Sequence, residues 1–113
     1  MLYTEVKINE KVYKARLSSH EQVLAEREIG KSLLNIFTAV SEDNMPTLET
    51  LLIIFQHSLV KYNHGITMDE VYDIYDEYID DGNSYVDFFQ LINTILIDSG
   101  VFRVSSAEEE EKN

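Results

Sequence analysis

The residues whose types best suit chemistry crowd into one acidic stretch. Asp69, Glu70, Asp73, Asp76, Glu77, Asp80 and Asp81 lead into Asp81-Gly82-Asn83-Ser84-Tyr85-Val86-Asp87-Phe88, which has the sound of a calcium-binding loop. An EF-hand loop needs oxygen ligands at its first and third positions, glycine at the sixth and a bidentate glutamate at the twelfth. With Gly82 placed sixth, Glu77 falls first, Ile79 third and Phe88 twelfth; with Val86 placed eighth, Ile79 falls first and Gln90 twelfth. Neither frame supplies the ligands, so the segment reads as the end of one helix and the start of the next. The three histidines, His20, His57 and His64, stand on separate segments without metal-ligand spacing. His57-Ser58 is no nucleophile and base, because adjacent helical side chains point about 100° apart. Gly30, Gly65, Gly82 and Gly100 are isolated and follow helices, so no phosphate-cradling loop is present. No metal and no cofactor is expected.

A run of carboxylates without a pocket is ordinarily a solvated helix face. Its tyrosines suggest more. Tyr72, with Tyr75 or Tyr78, would make an aromatic and acidic surface for a basic helical partner, since tyrosine is enriched at interfaces. Tyr85, Phe88 and Phe102 complete the candidate partner-binding set, although the same residues suit a core or its boundary.

The periodicity places these residues on helices. Thr67 with Glu70 forms a capping box for a helix buried through Val71, Ile74, Tyr75, Tyr78 and Ile79, and Asp81-Gly82 ends it. Ser84 starts the last helix, with Val86, Phe89, Ile92, Asn93 and Leu96 on one face and Phe88, Leu91 and Ile95 flanking it. Between Tyr85 and Ile97 this helix is apolar on nearly every side, so surplus apolar surface is expected to drive self-association. Thr47 caps a central helix with Leu48, Leu51, Leu52, Phe55 and Leu59 on one face, widened by Ile53 and Ile54 and ended by Asn63-His64-Gly65. Earlier, Ser18 and Ser19 are both good N-caps, and Ser19 with Gln22 makes a capping box for a more polar helix with Val23, Leu24 and Ile29 as its stripe, ended by Gly30. Leu33 to Phe37 reads as a short helical turn, Ser41 to Pro46 as a loop, and Val101-Phe102 as a return to the core.

Residues Leu2 to Leu17 alternate as two strands joined at Asn9-Glu10. That register sets Leu2 opposite Leu17, Thr4 opposite Ala15 and Val6 opposite Tyr13 on one face, with Glu5 opposite Lys14 as an ion pair on the other. The fold class expected is mainly α: a small helical domain of four to five helices with an N-terminal β-hairpin. A single domain should occupy residues 1–104, and residues 105–113 should form a disordered acidic tail.

Composition narrows the function. The 113 residues are 44% hydrophobic with seven Tyr and five Phe, which is apolar enough to fold. Nine Lys and Arg against 21 Asp and Glu give a formal net charge of −12, which repels both a phosphate backbone and an anionic membrane. Cysteine is absent, excluding disulfides and thiolate chemistry and suiting a reducing cytosol. The N-terminus has no signal-peptide pattern, and the longest apolar run, Leu51 to Phe55, is far too short to span a bilayer.

Several strings resemble the tail assembly chaperones of long-tailed phages and prophages of Gram-positive bacteria. They are Lys14-Ala15-Arg16-Leu17-Ser18-Ser19; Glu28-Ile29-Gly30-Lys31-Ser32-Leu33-Leu34-Asn35-Ile36-Phe37; Ser58-Leu59-Val60-Lys61-Tyr62-Asn63-His64-Gly65-Ile66; and Ser99-Gly100-Val101-Phe102. Leu33 departs from the pattern, which has proline there. The resemblance implies a helical protein in the host cell cytoplasm that coats the long, aggregation-prone tape measure protein before the tail tube forms around it. It implies self-association into a homo-oligomer, tail tube subunits as a further candidate partner, no active site, and a longer frameshifted product. Glu111-Lys112-Asn113 can be encoded as an uninterrupted adenine run that would permit such a frameshift. Two rival functions are a small acidic inhibitor or antitoxin-like adaptor of one basic protein, and a hydrolase built on the carboxylate cluster.

Overall fold

The N-terminal alternation folds as two antiparallel strands, β1 (Thr4–Ile8) and β2 (Lys11–Ala15), with Thr4 opposite Ala15, Glu5 opposite Lys14 and Val6 opposite Tyr13. The computed structural model describes residues 2–103, so the tail expected over 105–113 lies outside the described residues. Asn9 takes a φ of 55°, a left-handed conformation that asparagine tolerates, and so substitutes for the glycine a tight turn would favour. Thr4, Val6, Ile8, Ala15 and Leu17 turn into the core. Leu2 does not join them: it is exposed and precedes the strand.

A lone two-stranded hairpin is marginal in water, and this one is fastened to helix ends. The Arg16 amide donates to the Ser58 carbonyl at 2.7 Å, the Leu17 amide to Ser99 Oγ at 2.9 Å and the Thr4 hydroxyl to Asp98 Oδ2 at 2.7 Å.

Five helices follow among the described residues: α1 (Ser19–Ile29), α2 (Leu33–Thr38), α3 (Leu48–Leu59), α4 (Met68–Asp80) and α5 (Tyr85–Asp98). The class is therefore the mainly α domain with an N-terminal hairpin that the periodicity predicts. Of the two serines suited to cap α1 it is Ser18 that does so, its Oγ accepting the Glu21 amide, so Ser19 and Gln22 form no box. The buried residue of α1 is Ala25. Val23, expected in its stripe, lies about 160° round the helix from Ala25 at 3.6 residues per turn and is exposed.

α3 is the axis of the domain, with Leu51 through Phe55, Ser58 and Leu59 all buried. It packs against α1, α4, α5 and β2. The Thr67–Glu70 capping box forms at α4, and Ser84 with Asp87 forms another at α5. Asp81 is the C-terminal cap of α4, and its carboxylate accepts the Asn9 amide at 3.2 Å.

α5 buries Phe88, Ile92, Ile95 and Leu96, whereas Val86, expected on that face, is 53% exposed. Phe89, Leu91, Val101 and Phe102 pack against the core from its edge. The segment after Gly100 folds back as expected: the Phe102 ring centroid lies 5.7 Å from that of Phe37, which stacks 5.8 Å from Phe89 on α5. No helix among the described residues is long and apolar enough to cross a membrane.

Candidate interaction surfaces

The expected partner-binding residues separate into three environments. Phe88 is 1% exposed and sits at the centre of an aromatic cluster, with ring centroids 5.3 Å from Phe55, 4.8 Å from Tyr75 and 5.8 Å from Tyr78. Phe88 and Tyr78 are thus core residues and are removed from the candidate surface. The cause is helical phase: Tyr78 lies four residues beyond buried Ile74 and seven beyond buried Val71, on the face turned to α3. Tyr75, Tyr85 and Phe102 form the half-buried boundary.

The Tyr85 hydroxyl donates to the Pro46 carbonyl, pinning α5 to the loop before α3. Burial raises all three phenol pKa values above 10.0; Asp76 adds to it at Tyr75, Asp87 and then Tyr75 at Tyr78, and Tyr75 at Tyr85. Each neighbour opposes a phenolate charge.

Only Tyr72 of the set faces outward, at 48% exposure. Around it on α4 the exposed aspartates Asp69, Asp73, Asp76 and Asp80 recur at helical spacing and form one stripe. Glu77, on the flank, pairs with Lys11 at 3.5 Å. That pair borders a cleft of about 360 Å³ between the hairpin tip and α4, lined by Tyr13, His64, Glu70 and Asp73 as well.

A second cleft, of about 610 Å³, opens beside the start of α3. Ile29, Ile36, Met45 and Pro46 supply its apolar lining, and Lys31, Asn35, Thr47 and Thr50 its polar lining.

The hairpin carries a surface that periodicity alone does not reveal. Glu5 and Lys14 are opposite in register, yet no ion pair forms between them among the described residues. The Lys14 ammonium instead sits 4.9 Å from the Tyr3 ring centroid and 5.9 Å from that of Tyr62, and these rings meet edge to face at 5.6 Å. The Lys61 ammonium lies 5.8 Å from the Tyr62 centroid. Cations over aromatic faces are attracted by the ring quadrupole. Four of the nine cationic residues, Lys7, Lys11, Lys14 and Arg16, fall in this hairpin segment. That clustering was the available sequence signal; the Tyr3–Tyr62 contact had none.

His57 is likewise engaged across elements, with Nδ1 2.8 Å from Glu21 and Nε2 3.1 Å from Glu28, both on α1. The Ser58 hydroxyl donates to the Ile54 carbonyl at 2.7 Å and is buried. The histidine tethers α1 to α3, and the serine hydroxyl closes on its own helix.

No curated protein and no solved structure matches the chain. A family model does match, over residues 3–112, and on that extent the chain belongs to the family it describes, a family of unknown function (DUF6096).

Proposed function

We propose that the chain is a tail assembly chaperone of a long-tailed phage or prophage, which binds the helical tape measure protein and keeps it soluble in the host cell cytoplasm during tail morphogenesis. It acts as a binding protein, not an enzyme, and as a homo-oligomer covering a long client, with tail tube subunits as a further partner. The observation that carries the reading is the cleft of about 610 Å³ beside α3, with Ile29, Ile36, Met45 and Pro46 in its wall. Its size suits the apolar side chains of an amphipathic helix laid across it, the usual mode of helix recognition. The polar residues at the same cleft keep the unoccupied surface wet, and the charge of −12 keeps a coated client soluble.

The test is co-expression with a long helical tape measure protein, followed by sizing of the complex. Support would be a client that is soluble only with the chaperone, many copies per client, and loss of that solubility with Met45→Glu. A client that stays insoluble or unbound would remove the reading. The exposed aspartate stripe around Tyr72 favours a second reading, a one-to-one acidic inhibitor of a basic protein. Stoichiometry separates the two.

A further inference from the structure

The outer hairpin face sets two lysines, Lys7 and Lys14, around one carboxylate, Glu5, in a strongly acidic chain. Lys7 and Lys14 are both exposed, and Lys7 lies opposite Val12, so the two lysines are diagonal neighbours about 7–8 Å apart. Lys61 joins them through the Tyr62 ring it shares with Lys14. Among the described residues, no carboxylate lies within ion-pair distance of Lys7, Lys14 or Lys61. Tyr62 adds an apolar centre, 39% exposed.

The α4 stripe is its counterpart. Asp69, Asp73, Asp76 and Asp80 extend about 16 Å at 1.5 Å per residue, with neighbours about 6 Å apart and half-exposed Tyr72 beside them. None of these aspartates pairs with a cation among the described residues. Within one chain the hairpin meets α4 through Lys11 with Glu77 and Asn9 with Asp81, which uses neither set.

We propose that the Lys7, Lys14 and Lys61 face docks the Asp69–Asp80 stripe of a second copy of this chain, head to tail. The charges are opposite, and each patch has an exposed tyrosine among its charges, Tyr62 beside Lys14 and Lys61 and Tyr72 beside the aspartates, to anchor the contact. Because different surfaces meet, each added copy leaves one of each free, so the assembly grows as a ring or an open helical array instead of closing as a two-fold dimer. This deepens the chaperone reading by naming the surface of its self-association.

The experiment uses the purified chain without client, so its failure and that of client binding are separate results. Sedimentation velocity is run at about 0.01, 0.15 and 1 M salt, where the screening length is about 30, 8 and 3 Å. Association should be greatest at the middle value. At low salt the net charge repels whole molecules, and at high salt the local contacts are screened.

Lys14→Glu with Lys61→Glu should weaken association about tenfold or more, as should Asp73→Asn with Asp76→Asn. Mixing the two variants should restore a one-to-one complex that grows no further, because only one complementary pair of faces remains. Circular dichroism checks folding, and Lys7→Glu replaces Lys14→Glu if the first variant unfolds. A wild-type chain that stays monomeric at millimolar concentration would overturn the proposal. So would association indifferent to both variants, or binding of a polyglutamate peptide by a chain that does not self-associate.

Discussion

The Leu33 amide donates to Glu26 Oε2 at 2.8 Å, joining the start of α2 to α1. Leu33 is also fully buried. This position departs from the chaperone pattern, and proline there could not make the bond, having no N–H to donate.

Glu26→Ala should therefore lower stability by about 1–3 kcal/mol, the cost of leaving a part-buried donor unsatisfied. Leu33→Pro should also destabilise, since it leaves Glu26 without its donor and removes a buried leucine, even though proline suits the first turn of a helix. Urea denaturation measures both; equal stability of wild type and Leu33→Pro would show that the amide bond contributes nothing.

Phe88 and Tyr72 should behave oppositely. Phe88→Ala should lose about 3–5 kcal/mol, as buried aromatic truncations do, whereas Tyr72→Ala should stay within about 0.5 kcal/mol of wild type. Thermal melts decide this. A large loss at Tyr72 would mean that its ring packs within the domain.

Alkaline pH should destabilise the domain through Tyr75, Tyr78 and Tyr85. The folded chain holds Tyr75, Tyr78 and Tyr85 protonated beyond their ordinary pKa of 10.0, chiefly by burial. The stability they contribute is thus fully present below pH 10.0, the unfolded value, and is lost as pH rises through their higher folded values. Phenolate absorbance should show these tyrosines titrating late or together with unfolding, and Tyr85→Phe should flatten part of the alkaline loss. Titration of all seven tyrosines in one step near pH 10.0 would contradict this.

His57 should matter for the seat of α1 on α3. Replacing it with alanine removes its contacts at 2.8 and 3.1 Å with Glu21 and Glu28, and hydrogen exchange in α1 should quicken more than in α4. Uniform exchange across both helices would show that the tether is incidental.

Periodicity carried the fold far because α3, α4 and α5 each announce themselves twice, by a cap and by an apolar stripe. Thr67 with Glu70 and the run Val71, Ile74, Tyr78 agree, and the alternation fixed the hairpin register, although Glu5 and Lys14 do not pair and Leu2 stays out. The phase of α5 was harder to read. A helix apolar on most sides does not say which residue goes deepest, so Phe88 and Phe89 exchanged roles, and Val86 came out. Contacts between distant segments were not legible at all: nothing local connects Tyr3 to Tyr62, or His57 to Glu21 and Glu28. The interaction surfaces depend on those contacts, and so only Tyr72 among the expected residues was read correctly as outward-facing.

The Thr4 hydroxyl and Asp98 are separated by 94 positions, and Leu17 and Ser99 by 82. Such pairings raise contact order, and chains rich in them fold slowly, because long loops must close before the contacts repay the lost entropy. During synthesis the strands emerge before the helices that cover them: β2 waits for α3, and β1 for α5. The nascent chain must therefore keep the β1 side of the hairpin's inner face incompletely covered until α5 has been made, and a truncation before Asp98 should leave β1 poorly held and open to unwanted pairing with other chains.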